Sequence, residues 1–201
     1  MNRVLILYPK LFNCYSKFFR KVNKIISHLG DVTLVFPNDP NNFIANFIGQ
    51  NQSAIGSDEL PEWSESNITH AIIFDDGEEF PKELERIKST ETPCRFIKIN
   101  ITRVINIKNE DTYKFIKSSS NYEYIGRKSY WGNPHSMYEE GDDREEVIRK
   151  YKYDFDYEKF PNKKKSEVFK LAGKRLGCFC KPLPCHGDVL ADFLNSWDDG
   201  K

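Results

Sequence analysis

The sequence predicts an α/β protein in which an N-terminal open parallel sheet is followed by a smaller α+β domain. Three observations predict it. Short continuous apolar runs, each suited to a strand covered on both faces, alternate with helical periodicity through the first half. The pattern then changes to shorter, more polar strands and a loop rich in glycine and aromatic residues. The chain has 201 residues, enough for two small domains with a core each. The change of pattern places these domains at residues 1–100 and 101–201.

The first strand is expected at Val4–Tyr8, an unbroken apolar run. A helix follows over Tyr15–His28, with Phe18, Phe19, Val22, Ile25, Ile26 and Leu29 at helical spacing, and Gly30 stops it. Asp31–Phe36 reads as the second strand, ended by Pro37, and Asn42–Gln50 as a short helix. The polar stretch Asn51–Asn67 reads as loop. Thr69–Phe74 is the third strand, closed by Asp75-Asp76-Gly77, and Phe80–Lys88 is a helix with Pro81 in its first turn. Arg95–Ile99 completes the set. Strand and helix in alternation imply parallel pairing and right-handed crossovers. Ligands of such sheets sit at the carboxyl ends of the strands, here Tyr8-Pro9-Lys10, Phe36–Asp39 and Phe74–Gly77. No glycine-rich phosphate fingerprint follows the first strand, and no P-loop occurs. The acids Asp75, Asp76, Glu78 and Glu79 suit a cation or ribose hydroxyls, and equally a plain acidic loop before a helix.

Lys+Arg and Asp+Glu each number 30 and the formal net charge is zero. Bulk charge therefore gives no general grip on nucleic acid, although a local basic patch remains open. No apolar run reaches membrane-spanning length, so no membrane association is expected. The start, Met1–Tyr8, makes a poor signal peptide and a good strand. Three of the five cysteines fall between positions 178 and 185. That crowding is unlike a secreted disulfide scaffold and points to metal or thiol chemistry in a reducing, cytoplasmic setting.

In the second half, Arg103–Ile107 and Tyr122–Ile125 read as strands, and Gly126–His135 as a loop carrying basic and aromatic side chains. A helix runs from Arg144 to Tyr151 or beyond, with acids in its first turn. Another is expected from Lys163–Ser166 through Leu171, ended by Gly173. Arg175–Cys180 is a short strand, Pro182 and Pro184 force an extended turn, and Val189–Trp197 is the final helix. Three segments carry a family resemblance. They are Ile125-Gly126-Arg127-x-Ser129-x-Trp131-Gly132-Asn133-Pro134, then Arg144-Glu145-Glu146-Val147-Ile148-x-x-Tyr151, and Gly173–Cys180 followed by Pro182-x-Pro184-Cys185-His186-Gly187-Asp188-Val189-Leu190. Together they resemble the family called domain of unknown function 4326, across roughly Arg103–Trp197. The resemblance implies a bacterial or bacteriophage origin and no defined reaction. His135 stands where the family pattern carries Phe, so no role is carried over to it. The first half is similar only in outline to Rossmann-like nucleotide-binding folds, including the deoxyribosyltransferase and lysine-decarboxylase-like groups.

The chemistry-bearing residues fall into two sets. Cys178, Cys180, Cys185 and His186 suit a soft or borderline metal such as zinc. Their spacing lacks the usual two-residue gap: Cys178 and Cys180 are expected to point to opposite faces unless the strand bends, and Cys185 and His186 need a sharp turn to share an ion. Packing of Cys178 and Cys180 beside Phe179 is the plainer alternative. Cys185 at a helix N-terminus, with His186 and Asp188 beside it and Lys174 and Arg175 before it as ligand-binding cations, also suits either a bound phosphate or a nucleophile with acid–base partners. Helix capping accounts for Asp188 equally well. In the other set, Trp131 or Tyr130 would stack on a base, Asn133 read its edge and Arg127 hold a phosphate, with Ser129 beside them in the ligand-binding loop; Trp131 as a core anchor is the alternative. The phage occurrence that the family resemblance implies and the Rossmann-like outline suggest an enzyme acting on a nucleotide, nucleoside or nucleic-acid base, with these two sets as its ligand-binding and catalytic groups. The rivals are a non-catalytic nucleotide or nucleic-acid binder with a structural Cys/His cluster, and an interaction protein that blocks a host system.

Overall fold

The computed structural model describes residues 2–63, 67–137 and 141–200. The chain divides into two compact units, Met1–Ile99 with Ser196–Lys201, and Asn100–Asn195. The first unit contains β1 (Asn2–Leu7), α1 (Tyr15–Ile26), β2 (Val32–Phe36), α2 (Phe43–Ile48), β3 (Ala54–Glu59), β4 (His70–Asp75), α3 (Pro81–Ser89) and β5 (Cys94–Lys98). All pairings are parallel, in the order β3-β2-β1-β4-β5. This is the open Rossmann-like sheet that the alternating pattern predicts.

The apolar runs explain the layering. All five residues of β2 are buried, as are the last four of β1, because helices cover both faces of the central strands. On one face Phe74 stacks against Phe12 and Phe18 with ring centroids 4.9 and 5.3 Å away, and Phe43 and Phe47 extend the aromatic layer. On the other face Leu5, Leu7, Val35, Ala71 and Ile73 pack with Ile87 of α3 and Trp63.

The stretch expected as loop, Asn51–Asn67, contains β3, an edge strand paired with β2 from Ala54 to Glu59. Its outward positions Ile55, Ser57 and Glu59 are exposed, so no apolar run announces it. Backbone pairing to β2 supplies the structure that local composition does not. At the carboxyl edge of the sheet the acidic loop satisfies itself. Gly77 N donates to Asp75 at 2.8 Å, and Glu78 N and Glu79 N donate to Asp76 at 3.0 and 3.1 Å, which is the plain-loop reading of those acids.

The second unit contains β6 (Arg103–Asn106), β7 (Tyr122–Tyr124), α4 (Arg144–Asp156), β8 (Arg175–Cys178) and α5 (His186–Ser196). β8 lies between β6 and β7, parallel to both. The segment expected as a helix before Gly173 is a 3₁₀ helix, Lys165–Leu171, that buries Val168 and Leu171. Asn195 of α5 ties the helix to the start of the unit: its side chain accepts from Thr102 N at 2.8 Å and donates to Thr102 O at 3.0 Å. Ile125, Trp131, Tyr151, Phe155, Leu176, Leu190 and Leu194 form the core between sheet and helices.

Candidate functional site

Three local features bring the family-resembling segments of the second unit together around one hollow. β8 ends at Cys178, two residues earlier than the sequence suggests, and the chain turns through Cys180–Pro184 before α5 begins. α5 starts at His186, so Cys185 sits at its N-terminus. Asp188 is then not the cap but the third helical residue. Its carboxylate reaches back to accept from Cys185 N at 2.9 Å, the reciprocal arm of a capping box. Gly187 lets α5 approach the sheet, because a Cβ there would lie 2.5 Å from Ile125 Cδ1.

The hollow has a volume of about 200 Å³ and is lined by Cys178, Cys180, Cys185 and His186 together with Arg127, Asn133, His135 and Arg144. The three sulfur atoms lie within 4.8 Å of one another, and Cys178 and Cys180 Sγ are 3.4 Å apart. The expectation that Cys178 and Cys180 point to opposite faces is thus overturned. Residues two apart on extended chain share a face, so the spacing itself gathers them. Tetrahedral zinc with bonds near 2.3 Å would hold its sulfurs about 3.8 Å apart. The trio therefore fits such an ion with a shift of a few tenths of an ångström for the Cys178–Cys180 pair.

His186 stands outside the sulfur group. It is 5% exposed, and its Nε2 is 2.8 Å from the carbonyl oxygen of Ile125. A carbonyl only accepts, so Nε2 carries the hydrogen and offers no lone pair to an ion. Burial holds its pKa below the usual histidine value, and the ring packs edge-on against Tyr151 with centroids 4.9 Å apart. The set able to hold a metal is three thiols, with His186 as a buried anchor beside them.

The thiols titrate as one group. A hydrogen bond from Cys185 chiefly draws the Cys178 thiol down to about 5. The Cys185 thiol is pushed far up by its hydrogen bond to Cys178 and by burial, and burial raises Cys180. The first negative charge in the trio therefore sits on Cys178. Cys185, expected as the activated nucleophile, is the thiol that keeps its proton longest in the metal-free protein. Asp188 is occupied too: besides capping, it pairs with Lys181 at 2.6 Å.

Of the second expected set, Arg127 and Asn133 reach the hollow. Arg127 Nη1 lies 3.5 Å from Ser136 Oγ. Asn133 is pinned, donating to Val147 O at 3.0 Å and accepting from His135 N at 2.9 Å. Trp131 is 4% exposed within the core, and its carbonyl accepts from the Tyr151 hydroxyl at 2.9 Å, so it anchors the loop. Ser129 lies outside the hollow. Lys174 and Arg175 sit at the start of β8, the opposite end from Cys178, and Lys174 pairs with Glu123 at 3.2 Å.

Two lining residues escape the sequence reading. Arg144, the first residue of α4, donates to Pro184 O at 3.2 Å and hydrogen-bonds the Cys180 thiol. A cation there opposes the helix dipole, which is the signal that could have marked it. His135 lines the hollow, and its Nε2 is 2.8 Å from Asp154 Oδ2 in a part-buried His–Asp pair.

The fold and site define a Rossmann-like α/β unit joined to a second unit with a thiol-lined cavity. The chain belongs to the minimal SLOG domain family, whose model matches residues 1–105. Residues 105–196 match the domain of unknown function DUF4326, in agreement with the resemblance read from the three segments. An uncharacterised 12.4 kDa protein in the nrdA-td intergenic region of Enterobacteria phage T4 is 40% identical over 76 residues. That match covers 35% of this chain and 65% of the phage protein, less than two thirds of its length. No solved structure matches the chain. Among the described residues, no helix is long and apolar enough to cross a membrane.

Proposed function

We propose that this protein is an enzyme acting on a nucleotide, nucleoside or nucleic-acid base held in the hollow of the second unit, with zinc bound by Cys178, Cys180 and Cys185. The observation that carries the reading is the hollow itself, where three thiols, the guanidinium groups of Arg127 and Arg144, and the Asn133 amide converge. Two guanidiniums suit a phosphate. The Rossmann-like first unit and the likeness to a phage protein support a nucleotide-associated, phage-encoded role in a host cytoplasm.

A three-thiolate zinc site leaves one coordination position for water or substrate, and zinc bound there supplies a polarised oxygen or an activated water. Arg144 would offset the excess negative charge of three thiolates beside it. His135, oriented by Asp154, is the acid–base group that faces the ligand. Cys185, His186 and Asp188 hold the frame: Cys185 as a ligand, His186 and Asp188 through their bonds to Ile125, Cys185 N and Lys181.

The test begins with metal analysis of the purified protein beside Cys178→Ser and Cys185→Ala variants. One zinc per chain, lost in both variants, is the expected result. A thermal-shift series with nucleotides, nucleosides and bases follows, then product analysis with each ligand that stabilises the protein. Zinc absent from the native protein would refute the metal site. A stabilising ligand recovered unchanged would favour the binding-protein alternative, which the structural ties of His186 and Asp188 already suit.

A further inference from the structure

The hollow adjoins a second depression. A cavity of about 360 Å³ is lined by Lys117, Glu123, Tyr124, Arg127, Lys128 and Tyr130, and Arg127 belongs to both. Among the described residues, Lys117 and Lys128 make no ion pair, and both are exposed. The acid that lines the depression, Glu123, is held by Lys174 at 3.2 Å and by Ser118 at 2.7 Å. Ser129 Oγ, at the same place, is buried without a hydrogen-bond partner among the described residues. Large flat side chains stand open along the path: Tyr130 is 46% exposed and Phe179, on the wall of the first hollow, is 51% exposed. The Lys108 ammonium lies 5.9 Å from the Phe179 ring centre.

Cations alternating with exposed aromatic faces are the composition that single-stranded nucleic acids need: charge for the backbone and rings on which bases stack. A mononucleotide fills one hollow. Two hollows joined at a shared guanidinium accommodate successive nucleotides, with Arg127 at the phosphate between them. We propose that the second unit binds a single-stranded oligonucleotide across both depressions, with one nucleotide beside the thiol trio and its neighbour over Lys117, Lys128 and Tyr130. This rests on the nucleotide reading of the first hollow and adds the class of ligand. The chain carries no net charge, so the grip is local. Three phosphate contacts correspond to a salt slope near −2, at about 0.7 per contact for single strands.

Fluorescence anisotropy with labelled DNA and RNA strands of two to ten nucleotides, using the zinc-loaded full chain, tests the proposal. Mononucleotides and poly-glutamate serve as competitors. Affinity is expected to rise at least tenfold from mononucleotide to tetranucleotide and then level off. In a Lys117→Glu/Lys128→Glu variant, the ratio of oligonucleotide to mononucleotide affinity should fall toward one. The salt slope should flatten by about 1.4, and the melting temperature should be unchanged. Comparing the two sugars shows which strand is preferred, and tighter binding of either supports the proposal. Oligonucleotides bound no tighter than mononucleotides would overturn it and leave the first hollow's reading intact. So would poly-glutamate competing equally, which would mean a generic anion surface. Failure of mononucleotide and oligonucleotide alike would overturn both readings.

Discussion

At the scale of single residues, the candidate chemistry depends on which side chains are free to act. Asn133, His186 and Asp188 are bound into the frame, whereas His135 has one ring nitrogen on Asp154 and its ring on the wall of the hollow. His135→Phe separates chemistry from packing, because it keeps an aromatic ring and removes the exchangeable proton. Turnover should fall by about 10²- to 10⁴-fold, the usual worth of a positioned acid–base group, while ligand affinity and zinc content persist. Unchanged turnover would leave His135 a packing residue. Gly132→Ala is a structural contrast. Its Cβ would lie 2.6 Å from the backbone oxygen of Gly126, and backbone cannot swing aside as a side-chain tip can. A loss of about 2 kcal/mol or more is expected in urea unfolding.

At the scale of elements, the sequence showed clearly what rests on pattern and poorly what rests on pairing. The buried strands and α1 were legible because covered faces demand continuous or periodic apolar residues. β3 was not, because an edge strand with one exposed face needs no apolar run. The start of α5 was misplaced by three residues because Asp188, a residue type favoured as an N-cap, sits instead at the third helical position as the reciprocal arm of a capping box. This gives Asp188 a decisive test. Asp188→Ala should cost about 1 kcal/mol through the lost cap, and Asp188→Asn, whose amide oxygen still accepts from Cys185 N, should recover most of it. Activity surviving in the Asn variant excludes Asp188 as a proton carrier.

The C-terminal tail gives an element-scale prediction with a pH sign. Asp198 accepts from both terminal nitrogens of Arg20 of α1, at 2.7 and 2.9 Å. That contact, first among its causes, holds the carboxyl below its ordinary value of 3.8. A depressed folded-state value means that the unfolded chain takes up the proton first. The contribution is therefore complete above the ordinary value and declines as pH falls below it. Exchange at the Gly200 amide, which donates to Asp198 at 2.9 Å, should stay slow relative to its intrinsic rate down to about pH 4 and approach that rate in stronger acid. In Arg20→Ala it should be fast already at pH 7. Equal exchange in the two proteins at pH 7 would show that the pair does not hold the tail.

At the scale of the whole molecule, the two units differ in what stabilises them. The first has a five-stranded sheet covered by helices on both faces. The second has three short strands and a core into which Cys178 and Cys185 are packed at 4% and 2% exposure. Three thiols gathered there are a liability when ionised, since like charges at such distances repel and burial disfavours each of them. A divalent cation converts that liability into folding free energy, because the unfolded chain offers no preformed site. At free zinc a thousandfold above the dissociation constant, the gain is about 4 kcal/mol. Chelation should therefore act locally. Amides from Cys178 through the first turn of α5 should exchange faster after zinc is removed, and those of β1, β2 and β4 should exchange at their former rates. Hydrogen exchange read by mass spectrometry resolves the two sets in one experiment. Uniform acceleration across both units would mean that metal loss unfolds the chain globally. No acceleration around Cys178–Asp188 would mean that the trio is held by packing alone, and the hollow would then have to work without a metal.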